Sequence, residues 1–179
     1  MAWVIWITGL PGCGKTTVSE KVRDLLKKKD IDVKMLQLDK IRKVITPNPT
    51  YSEEERDIVY SSLAYMAMLL YESGINVIID ATANRRRYRE LARELIPNFS
   101  EVYLKCPLDL CIDREEKRDA EHSPKDIYKR SRDENASVPG VNVEYEETES
   151  PELAIESDHL SIEKSAEKIV ETILQQPSK

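Results

Sequence analysis

Eight residues near the start of the chain, Gly9-Leu10-Pro11-Gly12-Cys13-Gly14-Lys15-Thr16, follow the pattern G-x-x-x-x-G-K-[ST]. A run of β-branched and aromatic residues, Ala2 to Thr8, precedes them. Behind them Val18, Val22, Leu25 and Leu26 recur at helical spacing up to the basic Lys27, Lys28 and Lys29. A strand, a glycine-rich turn and a helix in this order make a phosphate cradle. Glycines let successive backbone N–H groups turn inward, and the helix adds the positive end of its dipole. The expected ligand is ATP, held by Gly9, Gly12, Cys13, Gly14, Lys15, Thr16 and Thr17. The Lys15 ammonium would reach the β- and γ-phosphates, and the Thr16 hydroxyl would supply a ligand to Mg²⁺. A tight glycine turn without a ligand is the competing reading, which the flanking strand and helix disfavour. Because the Lys15 head is expected to face solvent, its removal should change stability by less than about 0.5 kcal/mol.

The same alternation continues. Strands fit Val33 to Leu38, Asn76 to Ala81, Glu101 to Cys106 and Leu153 to Ile155. Helices fit about 52–72, 85–95, a stretch after Pro107, and a final face of Ile162, Ala166, Ile169, Val170, Ile173 and Leu174. This predicts an α/β fold of the P-loop NTPase, nucleotide-kinase-like kind: a central parallel sheet with helices on both faces. Residues 115–150, dense in charge and interrupted by Pro124, Pro139 and Gly140, are expected to form a charged lid and acceptor loop within one domain spanning 1–179.

Charge and cysteine usage narrow the setting. With 27 basic and 33 acidic residues the net charge is −6, which argues against nucleic acid as a partner. No apolar run reaches the roughly 18 residues of a membrane span, and MAWVIWITGL reads as a first strand rather than a signal peptide. Cys13, Cys106 and Cys111 are an odd, sparse set without metal spacing, which points to a reducing compartment and a cytoplasmic protein.

Phosphoryl transfer to a second substrate is favoured over a GTPase switch, because neither D-x-x-G after a strand nor N-K-x-D is present. Strand two ends in Leu38-Asp39-Lys40-Ile41-Arg42. Asp39 therefore stands at the carboxyl edge of the sheet, where it could take the proton of an acceptor hydroxyl, and Arg42 one turn on could hold an anion. A helix-capping aspartate with a surface arginine is the plainer alternative. Asp80, in Ile78-Ile79-Asp80-Ala81-Thr82, is placed to orient the Mg²⁺ shell through water. Arg85, Arg86, Arg87, Arg89 and Arg93 form either a solvated helix face or an acceptor-phosphate site, with Arg86 and Arg89 the preferred pair. Arg114 and Arg118, one turn apart, could cover the transferring phosphoryl group, although mixed acidic neighbours also suit a solvated face. His122 reads as a surface residue.

The segments GLPGCGKTT, LDKIR, EVYLKCPLDLCIDR and PGVNVEYEETESPELAIESD together resemble the adenylylsulfate kinase family, P-loop enzymes that use MgATP to phosphorylate the 3′-hydroxyl of adenosine 5′-phosphosulfate (APS). The resemblance implies Asp39 and Lys15 as catalytic residues and ATP contacts from Arg114 and Arg118. It implies a small nucleotide-like acceptor bound by Asp39, Arg42, Arg56, Arg86, Arg89 and Lys129, and it allows a homodimer. Arg56 closes the family-like Ser52-Glu53-Glu54-Glu55-Arg56. Lys129 closes Lys125-Asp126-Ile127-Tyr128-Lys129, which resembles the family's K-G-L-Y-K.

The chain also departs from the pattern. Where the family has L-D-G-D-N-[IV]-R, this chain has Gln37 for the first aspartate. Where it has N-I-R-R, this chain has Val59-Tyr60-Ser61-Ser62. The adenine-clamping phenylalanines match Tyr51 and Val138, and a serine is usual near Asp80. A P-loop kinase of another nucleotide-like or phosphorylated metabolite, a polynucleotide 5′-hydroxyl kinase and an ATP-binding sensor module are the alternatives. The last is disfavoured because both Asp39 and Lys15 are retained.

Overall fold

The computed structural model describes residues 2–117, 127–131 and 136–175. Strands β1 (Val4–Thr8), β2 (Val33–Gln37), β3 (Asn76–Asp80), β4 (Phe99–Lys105) and β5 (Leu153–Glu156) form one sheet in the order β2-β3-β1-β4-β5, with every pair parallel. Among the described residues seven helices accompany them: α1 (Lys15–Lys27), α2 (Leu38–Ile45), α3 (Glu53–Glu72), α4 (Arg86–Leu95), α5 (Leu108–Glu116), α6 (Ile127–Arg130) and α7 (Ile162–Gln175). None of the described helices is long and apolar enough to cross a membrane.

The sequence of β1, VIWIT, is apolar nearly throughout because the strand is buried on both faces. Alternate residues serve opposite layers. Ile5 and Ile7 join Val18, Val22, Leu26, Ile169 and Val170 under α1 and α7. Val4 and Trp6 join Val59, Leu63 and Tyr88 under α3 and α4. The helices thus cover both faces of the parallel sheet, as the strand–helix rhythm predicted.

Two boundaries differ from the sequence reading. β2 stops at Gln37 and the chain turns at once into α2, since Leu38 and Ile41, three apart, both pack against the α3 side of the core. β4 begins earlier, at Phe99, whose ring meets Trp6 edge-on with centroids 6.5 Å apart. Of the expected lid, 118–126 and 132–135 lie outside the described residues, and Arg118 and His122 with them. The rest consists of the end of α5, α6, and a turn around Gly140 (φ 88°) closed by a bridge from Pro139 to Val143.

All five strands end on the same edge of the sheet. β1 has neighbours on either side that leave it in opposite directions, so the loop after Thr8 opens at a topological switch point, where ligands of open α/β sheets bind.

Candidate active site

The phosphate loop is shaped by what cannot fit in it. A side chain on Gly9 (φ 148°) would lie 2.7 Å from the Cys13 sulfur, and one on Gly12 (φ 80°) would strike the backbone of Cys111. Gly14, at the N-cap of α1, has no side chain to satisfy the first-turn N–H groups, which leaves them to a ligand. Lys15 is buried, and its Nζ donates to the carbonyls of Gly9 and Leu10, each at 2.9 Å. Two further contacts fix the loop: the Tyr128 hydroxyl donates to Pro11 O at 2.8 Å, and Ser157 Oγ donates to Cys13 O at 3.1 Å. Burial raises the Cys13 thiol above its ordinary pKa, which suits a small filler under the loop.

From this loop a single cavity of about 1260 Å³ extends to α2 and α3, and its walls include Lys15, Thr16, Thr17, Asp39, Arg42, Arg56, Asp80 and Arg114. Asp39 lies in the first turn of α2, whose N-cap is Gln37, so it is not the capping residue that the plainer sequence reading allowed. Arg42 is three residues further along the same helix. It is buried, donates to Glu55 Oε1 at 2.7 Å and lies 5.1 Å over the Tyr51 ring. Burial alone would raise the Glu55 carboxyl. The backbone N–H and hydroxyl of Thr50, together with Arg42, outweigh that and hold it below the usual range.

Arg56 is buried at the start of α3. Its described partners are both neutral oxygens, Asn84 Oδ1 at 3.2 Å and Ser137 O at 2.6 Å, and burial pulls its pKa below the ordinary arginine value. Arg114 reaches in from α5, donating to Ser157 O at 3.1 Å. Tyr51 and Val138 wall the same part of the cavity, tied by a 3.2 Å hydrogen bond from Ser137 Oγ to Tyr51 O. A phosphate cradle and a second cationic site behind a carboxylate thus share one cavity, an arrangement for moving a phosphoryl group between two bound molecules.

The family model described as adenylylsulphate kinase matches residues 1–156. The chain belongs to the adenylylsulfate kinase family. It is 33% identical to the adenylyl-sulfate kinase of Halothermothrix orenii over 93% of this chain and 86% of that one. It is 36% identical to the protein named probable adenylyl-sulfate kinase of Archaeoglobus fulgidus over 88% and 97% respectively. The solved structure of the Mycobacterium tuberculosis APS kinase CysC in complex with AMPPNP and APS matches with a TM-score of 0.86, covering 97% of this chain and 98% of that one at 26% identity. This adenylylsulfate kinase is therefore an ATP-dependent phosphotransferase, and the family's reaction is phosphorylation of the 3′-hydroxyl of APS.

Within the adenylylsulfate kinase pattern, the structure brings together most of the residues that the sequence singled out and leaves three off the cavity wall. Arg86 and Arg89, expected on the acceptor, do not line the cavity. Arg86 pairs with Glu149. Arg89 is buried, pairs with Glu101 at 2.8 Å and donates to the carbonyls of Ala83 and Glu146. Lys129 is exposed on α6 and is likewise absent from the cavity wall. Gly9 acts from behind, through its carbonyl on Lys15.

The departures at 59 and 60 are now core residues. Val59 is fully buried, and Tyr60 stacks on Tyr88 with centroids 4.4 Å apart while its hydroxyl accepts the Ala83 N–H at 3.0 Å. Sequence reasoning missed Asn84, Ser137 and Ser157. They are ordinary polar residues in loops, and only the fold brings them to Arg56, Tyr51 and the phosphate loop.

Proposed function

We propose that this adenylylsulfate kinase binds MgATP on the phosphate loop and APS against α2 and α3, with Asp39 receiving the proton of the 3′-hydroxyl as the γ-phosphoryl group is transferred. The observation that carries this reading is the continuity of the cavity from Lys15 and Thr16 to Asp39, Arg42 and Arg56. At about 1260 Å³ it exceeds the roughly 300–1,000 Å³ usual for one small ligand, as a site for two nucleotides must.

Each side chain has a role that follows from its surroundings. Lys15 exchanges two neutral carbonyl oxygens for phosphate oxygens, which are stronger acceptors for an ammonium. Arg114 places positive charge beside the transferring group. Arg56, buried among neutral partners, and Arg42, steadied by Glu55, hold the anionic phosphosulfate. Tyr51 offers a ring to the adenine and Val138 an apolar wall, so stacking is one-sided. Asp39 completes the acceptor site as general base.

The donor set suits Mg²⁺. Thr16 presents a hard hydroxyl oxygen, and the described residues contain no cluster of three or more metal-binding side chains, so the ion would be shared with the phosphates, as Mg²⁺ commonly is. When bound, Mg²⁺ neutralises charge on the β- and γ-oxygens.

The test is a coupled ADP-release assay with APS beside a panel of other nucleotide and phosphorylated acceptors. APS should give the highest kcat/KM. Turnover confined to a different acceptor would overturn the acceptor assignment while leaving the kinase class in place.

A further inference from the structure

Three arginines are buried among the described residues: Arg42, Arg56 and Arg89. A buried charge is costly unless an opposite charge faces it. Two of the three follow that rule, Arg42 with Glu55 at 2.7 Å and Arg89 with Glu101 at 2.8 Å. Arg56 does not. Its guanidinium is met at 3.2 Å by the side chain of Asn84, which has the shape of an aspartate without the charge, and its other described partner, Ser137 O, is neutral as well. Burial pulls the pKa of Arg56 down, and the positive charges of Arg42 and Arg85 act in the same direction.

Asn84 is fixed from several sides. It is almost wholly buried, its Nδ2 donates to Glu144 O at 3.1 Å, and its carbonyl accepts the Glu146 N–H at 2.8 Å. An arginine can only donate and a backbone carbonyl can only accept, so these contacts settle which end of the amide faces Arg56. The residue before it, Ala83, is left-handed at φ 45° and is kept there by the Tyr60 hydroxyl, which accepts its N–H, and by the Arg89 guanidinium, which donates to its carbonyl. Backbone strain of this kind persists only where the surroundings impose it, and it gathers at binding sites. Asn84 does not itself line the cavity, whereas Arg56 does.

We propose that Asn84 is a positioning residue that sets the acceptor preference of the site: as an amide it holds Arg56 in place without neutralising it, so the positive charge stays available to an anionic group of the acceptor. The proposal rests on reading Arg56 as an acceptor-binding residue. A carboxylate at 84 would give Arg56 a permanent counter-ion, with which the acceptor's anion would have to compete. The neutral partner forgoes the ion pair and keeps the charge for the ligand.

The experiment titrates APS into protein saturated with AMPPNP and Mg²⁺, read by calorimetry, for the parent, Asn84→Asp and Asn84→Ala, with a melting curve for each. Asn84→Asp keeps the shape of the side chain and adds a charge. It should weaken APS binding by about tenfold or more, the size of a charged hydrogen bond to a ligand, while the affinity for AMPPNP stays near the parental value. Asn84→Ala removes the amide without adding a charge and should weaken APS binding by less. Stability should run the other way, with Asn84→Asp melting no lower than Asn84→Ala, because its carboxylate pairs with the buried guanidinium. A residue that only holds the fold together would place the two variants in the same order for affinity and for melting. That common order, parental APS affinity in Asn84→Asp, or an Asn84→Ala loss as large as that of Asn84→Asp, would overturn the proposal. Should Asn84→Asp not fold, Asn84→Ala decides alone: an affinity loss under about tenfold supports the neutral-partner role and a larger one overturns it. If the parent binds another anionic acceptor instead of APS, the APS assignment falls, and the same comparison with that acceptor decides the role of Asn84.

Discussion

Lys15 and Arg56 are buried cations that the protein satisfies with neutral oxygens, and both consequences are measurable. A lysine facing water would be removable at little cost, but Lys15 closes the phosphate loop on itself through the Gly9 and Leu10 carbonyls. Its head is therefore part of the fold. Lys15→Ala should lower stability without nucleotide by about 1–3 kcal/mol, the range for a lost charged hydrogen bond, instead of leaving it unchanged. It should also cut kcat by about 10²–10³ through loss of phosphate stabilisation. Melting curves with and without MgATP, set beside turnover, separate the two effects. Arg56→Met should leave the KM for ATP near the parental value and raise that for APS by about tenfold or more, as expected when a charged hydrogen bond to a ligand is lost. Equal changes for both substrates would remove Arg56 from the acceptor side. Asp39→Asn should bind both substrates and lose about 10² or more in kcat. Unchanged turnover would exclude it as the base.

At the scale of elements, α4 shows how a segment distant in sequence can finish a helix. Its N-cap, Arg85, offers no capping side chain, yet Glu146 accepts the Arg86 N–H at 2.8 Å and an Arg85 guanidinium proton at 3.0 Å. The same segment is pinned by Glu146 N–H to Asn84 O at 2.8 Å and by the Tyr145 hydroxyl, 3.0 Å from Thr8 Oγ1. The backbone donor of Arg86, more than any other group, lowers the Glu146 pKa below the usual carboxylate value. A carboxyl depressed in the folded state contributes stability that is complete above its unfolded pKa, near 4.5, and is lost as pH falls through the lower folded value. Glu146→Gln should thus cost about 0.5–2 kcal/mol at neutral pH, the range of a lost cap. The difference from the parent should shrink as both are acidified below the ordinary glutamate pKa of about 4.3. Denaturant midpoints measured across pH 3–7 give the comparison, and a difference that stays constant with pH would deny Glu146 this role.

The arginines of α4 also mark where sequence reading stops. A run of Arg85, Arg86, Arg87, Arg89 and Arg93 states that positive charge is present but not what meets it. Here the partners are Glu146, Glu149, Asp57, Glu101 and Glu152, most of them contributed by other elements of the chain. The phosphate loop was legible because its constraint is local: glycines at fixed offsets, a strand before and a helix after. The strand–helix rhythm was legible for the same reason, through the two-residue and 3.6-residue periods. The acceptor side was legible only in part. Asp39 and Arg42 share one short helix, whereas the groups that hold Arg56, Asn84 and Ser137, lie 28 and 81 residues away in sequence.

At the scale of the whole molecule, a chain with net charge −6 carries a cavity lined by cationic side chains. Its far field repels polyanions. Among the described residues, Lys15, Lys40, Arg42, Arg56 and Arg114 bring positive charge to the wall of the cavity, where salt screens poorly. A polynucleotide 5′-hydroxyl kinase would need the opposite arrangement, a basic surface that tracks a phosphate backbone and loses affinity steeply with salt. Two outcomes follow from the acidic design. The KM for APS should vary by less than about threefold between 0.05 and 0.5 M NaCl, because buried or partly buried charges are screened far less than exposed ones. A single-stranded oligonucleotide with a free 5′-hydroxyl should neither accept phosphate from ATP nor inhibit the APS reaction. Label transfer to the oligonucleotide, or a KM that climbs steeply with salt, would show that charge outside the cavity takes part in binding, and would favour the polynucleotide reading over the small nucleotide.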